Sequence, residues 1–124
     1  MAQCYRQRSF LDRGIPLPGS SDRPVVEGAP LLGIADLVLR RTASGAEFAP
    51  DEAITPLQAL HAWTLGSAHA AFEEHRKGSL VPGKLADLAV LSDDLTAVDP
   101  EQIASLQVLA TVVGGEVRYD VGLG

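Results

Sequence analysis

Apolar positions follow helical spacing in the first part of the chain and form strand-like runs in the last third. One predicted helix face is made of Leu31, Ile34, Leu37 and Val38. These positions recur three and four residues apart, which predicts a helix over residues 31–41. The stretch 57–72 is apolar or small on nearly every side, a composition typical of a helix that is buried by several neighbours.

A second helix carries the clearest local signal in the chain. Thr55 provides a hydroxyl at the N-cap, Pro56 suits the first helical position, and Gln58 completes a capping box three residues after the cap. The pattern predicts a helix that starts at Pro56. Gly66–Ser67 is expected to interrupt it, with Ser67 capping a further short helix over 68–74.

Short apolar runs bounded by turn residues indicate strands. The predicted strands cover residues 15–17, 79–81, 85–86, 87–91, 108–113 and 116–119. Pro82–Gly83 is the pair that a type II turn requires, and Gly114–Gly115 is typical of a hairpin turn. The chain is therefore expected to be an α/β protein whose helices precede most of its strands.

Composition narrows the function classes. The chain has 124 residues, a net charge of -6 and 5% aromatic residues, so the expected core is aliphatic and a nucleic-acid partner is not expected. Cys4 is the only cysteine, which fits a reducing compartment. We expect no membrane span and no signal peptide, because no apolar run reaches the required length. The predicted location is cytoplasmic.

Asp22 is the strongest candidate for a catalytic residue. It follows the predicted strand 15–17 and the small residues Gly19-Ser20-Ser21. An acid just past the carboxyl end of a buried strand is a common way to build a site on an α/β scaffold, and small neighbours leave room for a ligand. The alternative is an Asp that only caps a turn, which is the more frequent role.

The three histidines do not form a metal motif. His61, His69 and His75 are eight and six residues apart, whereas two imidazoles share a helix face at a spacing of four. Packing and surface roles are the favoured interpretation. His61 is the one expected to face inward, since it lies in the apolar helix.

Four segments together resemble the C-terminal part of metal-dependent amidohydrolases, in particular the YtcJ-like branch. They are Ser9 to Leu17, Ser21 to Arg40, Ile54 to Phe72, and Lys77 to Leu91 with Val112 to Val117. The sequence Gly-Ser-Leu-Val-Pro-Gly-Lys-Leu-Ala-Asp-Leu at 78–88 is the most specific of these matches.

The resemblance implies a fold and a role for each candidate residue. Residues 1–76 would be the C-terminal remnant of a TIM barrel, with its last strand and helices, and residues 77–124 would be strands of the composite β-sandwich. Asp22 would be the catalytic acid that contacts a divalent metal, zinc by expectation, and handles the proton of the attacking water. Arg23 is a candidate for the substrate pocket.

Departures from the family pattern limit these expectations. Ser20 stands where the family usually has glycine, and the His-x-His of the first barrel strand does not occur in the sequence. Asp22 cannot hold a catalytic zinc alone, because such a zinc has three protein ligands. The parent reaction is hydrolysis of a non-peptide C–N bond in an amide or cyclic amide. We expect the isolated chain to bind no metal and to be inactive. Whether the chain is an enzyme stays open.

Two other functions remain as alternatives. The chain could be a non-catalytic module that completes a separate barrel chain, or an independent small α/β binding domain. The expected partners are accordingly a complementing barrel chain, a second copy of this chain, and a small-molecule amide in the parent family. Neither a nucleic acid nor a membrane is expected as a partner.

Overall fold

A computed structural model describes residues 4–122, in which helices precede a three-stranded sheet. The helices are α1 (Gln7–Leu11), α2 (Pro30–Leu39), α3 (Pro56–His61) and α4 (Ser67–Ala70), and a π-helical turn, Ala62–Gly66, joins α3 to α4. Two 3-10 helices cover Pro50–Glu52 and Pro100–Ser105. The strands are β1 (Leu88–Leu91), β2 (Val108–Val113) and β3 (Glu116–Asp120).

The predicted helix over 31–41 is confirmed as α2. Pro30 occupies the first helical positions, where its missing N–H costs nothing. Ile34 and Ala35 are buried on the face that the apolar spacing predicted. The helix ends at Arg40, whose left-handed backbone (φ 51°) turns the chain away.

The capping box at the start of α3 is also confirmed. The Gln58 backbone N–H donates to Thr55 Oγ1 at 3.2 Å, and the Thr55 N–H donates to Gln58 Oε1 at 2.9 Å. The predicted interruption at Gly66–Ser67 is wrong, because Gly66 keeps helical angles and the chain continues through the π turn into α4. This last helix ends at Ala70 rather than at residue 74.

The sheet has the order β1-β2-β3 with both pairs antiparallel. Gly114 and Gly115 have φ values of 60° and 83°, as a two-residue hairpin turn of the I′ kind needs, which confirms the predicted hairpin. The Gly114 N–H donates to Asp87 Oδ1 at 2.7 Å and so links the turn to the residue before β1. All five residues of β3 are exposed.

Three predicted strands do not form: 15–17, 79–81 and 85–86 carry no strand. Pro16 and Pro18 lack the N–H donors that a ladder requires, and the backbone beyond them bonds to the π turn instead. The turn at Pro82–Gly83 is present, with the Lys84 N–H donating to the Val81 carbonyl at 3.2 Å. The fold is therefore mixed α and β with one small antiparallel sheet. A last barrel strand at 15–17 is not seen in this structure.

One hydrophobic core draws on both ends of the chain. Its buried members are Ile34, Ala35, Ile54, Ala59, Leu95 and Ile103. The 3-10 helix Pro100–Ser105 places Ile103 against α2, and Ile103 is fully buried. Residues from both sides of position 76 share this core. The division of the chain at residue 76 stays a prediction.

Candidate functional site

Asp22 lies in an exposed turn that follows the Leu17–Ser21 segment. Its carbonyl accepts a hydrogen bond from the Val25 N–H at 2.9 Å, and its own N–H donates to Ser20 Oγ at 3.3 Å. The backbone of Asp22 is left-handed (φ 54°), a conformation that aspartate tolerates better than most residues. The turn therefore fixes the backbone of Asp22 and leaves its carboxylate facing solvent.

The segment before Asp22 is packed tightly against the helical layer. The Trp63 indole lies between Gly19 and Gly33, since a Cβ added at Gly19 would be 2.6 Å from Trp63 Cδ1 and one at Gly33 would be 2.2 Å from Cζ2. The Gly19 N–H donates to the Ala62 carbonyl at 2.8 Å. Only glycine permits these approaches, so the three residues fix where the segment crosses the helices.

A cavity of about 530 Å³ borders this segment. Its wall includes Gly19, Ser20 and Ser21 on one side and Arg40 and Phe48 on the other. Asp22 and Arg23 do not line it. The structure thus places the cavity beside the Asp22 turn rather than around the carboxylate.

Arg40 is a buried cation in the wall of this cavity, only 6% exposed. Burial lowers the pKa of its guanidinium, and the charge of Glu52 acts in the opposite direction. Its Nη2 donates to the Tyr5 carbonyl at 3.3 Å, its Nε to the Ala49 carbonyl at 3.4 Å, and the group lies 5.1 Å from the centre of the Phe48 ring. Arg40 therefore ties the end of α2 to two other segments.

Asp36 is one of two carboxylates in this cavity wall, and Glu27 is the other. Desolvation raises the pKa of the Asp36 carboxyl, although the residue as a whole remains exposed. It lies on α2 and not in the Asp22 turn.

Arg23 folds back along its own loop. A Cβ added at Gly28 would be 2.9 Å from Arg23 Cδ, so the aliphatic part of the arginine lies against Gly28. The residue is exposed. Its assignment to a substrate pocket stays a prediction, as does the catalytic assignment of Asp22.

The side chains that ligate metals are dispersed. Within residues 4–122, no group of three or more His, Cys, Asp or Glu side chains is close enough together to hold a metal ion. His61 is exposed, so the expectation that it faces inward is wrong. His69 Nδ1 lies 3.2 Å from Glu74 Oε1, an ion pair when the histidine is protonated. The donor set of the described residues does not fit a catalytic divalent metal, which needs about three protein ligands.

The sequence patterns gave no role at the candidate site to two residues of this region. Trp63 and Ser67 both contact the segment before Asp22, and Ser67 Oγ donates to the Gly19 carbonyl at 2.7 Å. Three glycines at points of close approach, Gly19, Gly33 and Gly66, were the available signal. Their partners could not be read from the sequence because the contacts join positions more than 25 residues apart.

No helix in the described part of the chain combines the length and the apolar character that a membrane crossing requires.

Comparison with known proteins identifies the family. The profile of the amidohydrolase family matches residues 2–119. The chain is 32% identical to YtcJ of Bacillus subtilis (strain 168), named as an amidohydrolase, over 97% of this chain and 23% of that protein. It is 38% identical to the N-substituted formamide deformylase of Arthrobacter pascens, over 91% of this chain and 21% of that protein.

A solved structure shows the same fold. The amidohydrolase from Thermotoga maritima MSB8 superposes with a TM-score of 0.66 over 89% of this chain and 24% of that one, at 22% identity. The chain spans less than a quarter of the length of each of these proteins. This chain belongs to the amidohydrolase family.

Proposed function

We propose that this chain is part of an amidohydrolase that hydrolyses a non-peptide C–N bond, in an amide or a cyclic amide. The observation that carries the proposal is the family match over residues 2–119. The names of two relatives agree with it: one is an N-substituted formamide deformylase and another, 35% identical over 74% of this chain, is an imidazolonepropionase.

Asp22 is the residue that we assign to acid–base chemistry. Its carboxylate is exposed, and its backbone is fixed by the turn to Val25. A carboxylate at such a position can accept a proton from an attacking water and return it to the leaving nitrogen. Arg23, the next residue, is the proposed contact to substrate.

A divalent metal, zinc by our proposal, would need ligands from outside the described residues. The amidohydrolase family is generally metal-dependent, and Asp22 supplies at most one ligand of the usual three. No reaction step is therefore assigned to a metal on this chain. We propose that the chain binds no catalytic metal alone and is inactive alone.

An exposed apolar groove supports a partner that completes the site. A cavity of about 800 Å³ opens between α3–α4 and β1. Leu57 and Leu80 in its wall are 64% and 68% exposed. Exposed leucines around a groove are a feature of interaction sites. We propose that a barrel polypeptide carrying the His-x-His strand covers this groove, with a second copy of this chain as the alternative occupant.

Hydrolysis assays test the proposal directly. The substrates are an N-substituted formamide and an N-acyl amino acid, each with added zinc. The chain is assayed alone and after co-expression with a neighbouring gene product that carries a His-x-His strand. We expect turnover only in the complex, and a loss of at least a hundredfold in kcat/KM for Asp22→Asn.

Asp51→Asn is the matched control, because Asp51 is another exposed acid and lies outside the Asp22 turn. Turnover by the chain alone that Asp22→Asn abolishes would contradict the inactivity of the isolated chain. Turnover by the complex that Asp22→Asn leaves intact would contradict the role of Asp22. Sedimentation velocity of the chain alone distinguishes the two proposed partners. A dimer indicates a second copy of this chain, and a monomer favours a separate barrel polypeptide.

A further inference from the structure

The π turn between α3 and α4 contains a carbonyl, that of Ala62, which accepts a hydrogen bond from outside the helix. In a regular α-helix the Ala62 carbonyl would accept from the Gly66 N–H. Here it accepts from the Ser67 N–H, five residues on, and also from the Gly19 N–H at 2.8 Å. Single π turns within helices are frequent at functional sites. This one lets a helix carbonyl hold the segment that leads to Asp22.

Ser67 binds the carbonyl side of the same residue, Gly19. Its Oγ lies 2.7 Å from the Gly19 carbonyl oxygen and 3.0 Å from the Ala62 carbonyl oxygen. A hydroxyl has one proton, so it donates to one of them at a time, and the shorter distance favours Gly19. Both the N–H and the C=O of Gly19 are thus bound to the turn between α3 and α4.

Close packing makes this attachment rigid. A Cβ added at Gly66 would be 2.2 Å from the Leu17 carbonyl oxygen, and the Trp63 ring occupies the space beside Gly19. The indole Nε1 is buried, and no acceptor among the described residues lies within hydrogen-bond distance of it. Shape rather than a hydrogen bond therefore sets the position of the indole.

We propose that Ser67 and the π turn Ala62–Gly66 position Asp22 by fixing Gly19 three residues before it. Ser67 is a positioning residue in this proposal, since it acts on the carboxylate through the backbone of Gly19 to Ser21. The catalytic consequence rests on the function proposed above for Asp22. A displacement of about 1 Å at a reacting group can lower the rate a hundredfold. A fixed backbone at Gly19 would therefore keep the Asp22 carboxylate in the position that the reaction needs.

The first test needs no substrate. In the ¹⁵N-labelled full chain, we expect the Gly19 amide to exchange with solvent at least tenfold more slowly than the Ser21 amide, which has no hydrogen-bond partner among the described residues. Ser67→Ala should speed the exchange of Gly19 about fivefold and shift the Asp22 amide and Trp63 indole signals. Trp63 is the only tryptophan, so its indole signal is unambiguous. Ser67→Thr, which keeps the hydroxyl, should restore both signals.

Thr64→Ala is the matched control. Thr64 Oγ1 donates to the Leu60 carbonyl at 2.7 Å, which is the same kind of bond one turn earlier and without a contact to Gly19. The proposal is overturned if Ser67→Ala changes the Gly19 and Asp22 signals no more than Thr64→Ala does, or if Ser67→Thr fails to restore them. It is equally overturned if Gly19 exchanges as fast as Ser21 in the unmodified chain, a result that does not depend on any variant folding.

The second test uses the complex in which hydrolysis is measured. Ser67→Ala should lower kcat about tenfold with little change in KM, and Ser67→Thr should recover most of the loss. An unchanged kcat in Ser67→Ala, together with the shifted Asp22 signal, overturns the positioning role and leaves the proposed function standing. If no form of the protein hydrolyses the substrates, the proposed function fails and the exchange measurements alone decide whether Ser67 fixes the Asp22 turn.

Discussion

The helical layer around Asp22 and the C-terminal sheet are built in opposite ways. The helical layer joins distant segments: Gly19 bonds to Ala62, and Ile103 packs against α2. The sheet joins neighbours in sequence, since β1, β2 and β3 follow one another along the chain and pair in that order. Contacts between segments more than 40 residues apart thus hold the layer that carries the candidate site.

Burial follows the same division. Three of the six buried members of the main core lie on helices α2 and α3, and Ile54 lies in the loop before α3. Ile103 packs onto this layer from the 3-10 helix Pro100–Ser105, and none of the six lies on a strand. Among the strands, only Ala110 of β2 is buried. The helical layer is thus stabilised mainly by apolar packing and the sheet mainly by its backbone ladder. This contrast predicts where a substitution will be costly.

Truncation of the most buried large side chain should give the largest effect. Ile103→Ala is expected to lower the free energy of unfolding by about 3–4 kcal/mol, because the transfer and cavity costs add at a fully buried position. Val117→Ala on the exposed strand β3, where the valine is 63% exposed, should cost less than about 1 kcal/mol. Urea unfolding monitored by Trp63 fluorescence measures both. Equal losses at the two positions would contradict the proposed contrast.

The sequence predicted the local features of both regions. The α2 helix, the capping box of α3 and the β2–β3 hairpin all depend on residues within a few positions of each other. Their patterns are accordingly complete in any short window of the chain. The family was predicted from such windows as well, and the comparisons confirm it.

The features around Asp22 could not be predicted in this way. The π turn depends on a carbonyl that binds Gly19, more than 40 residues earlier, and no local pattern specifies it. The predicted strand at 15–17 failed for the same reason. A strand is defined by its partner strand, whereas the backbone just after this segment, at Gly19, bonds to the Ala62 carbonyl of the helical layer. The sequence identified Asp22 as the candidate, whereas the residues that hold it in place required the structure.

A substitution at Phe72, which lies between the helical layer and the sheet, should have a smaller effect on the free energy of unfolding, and of opposite sign. Phe72 follows α4 with a left-handed backbone (φ 58°) and a side chain that is 82% exposed. The Phe72 N–H donates to the His69 carbonyl and the Glu73 N–H to the Ala68 carbonyl, a Schellman ending in which glycine is preferred at the Phe72 position. Phe72→Gly should therefore raise the free energy of unfolding by about 1 kcal/mol.

Phe72→Ala is the control for this substitution, since it removes the ring but keeps a Cβ at the left-handed position. The urea midpoint should rise for glycine and stay close to the original value for alanine. If alanine stabilises as much as glycine, the gain comes from loss of the exposed ring, and the backbone explanation fails.

Acid should weaken the helical layer through Glu52, the smallest effect of the three. The Glu52 carboxylate accepts hydrogen bonds from the Ser9 hydroxyl and, at 2.9 Å, from the Ser9 N–H, and so joins α1 to the 3-10 helix Pro50–Glu52. These bonds, together with the charges of Arg6 and Arg40, hold the pKa of Glu52 below its usual value.

Because the folded-state pKa of Glu52 is the lower one, its contribution is complete above the unfolded value of about 4.3 and is lost as the pH falls through the folded value. The urea midpoint of the unmodified chain should therefore fall more between pH 6 and pH 3 than that of Glu52→Gln, which cannot titrate there. Glu47→Gln, at an exposed glutamate on the neighbouring loop, is the control for the loss of one exposed carboxylate. Parallel pH profiles for the unmodified chain and Glu52→Gln would show that the Ser9 contact does not stabilise the folded state. The attachment of α1 would then depend on apolar contacts such as Leu11, which packs against the main core, and the contrast with the sheet would rest on packing alone.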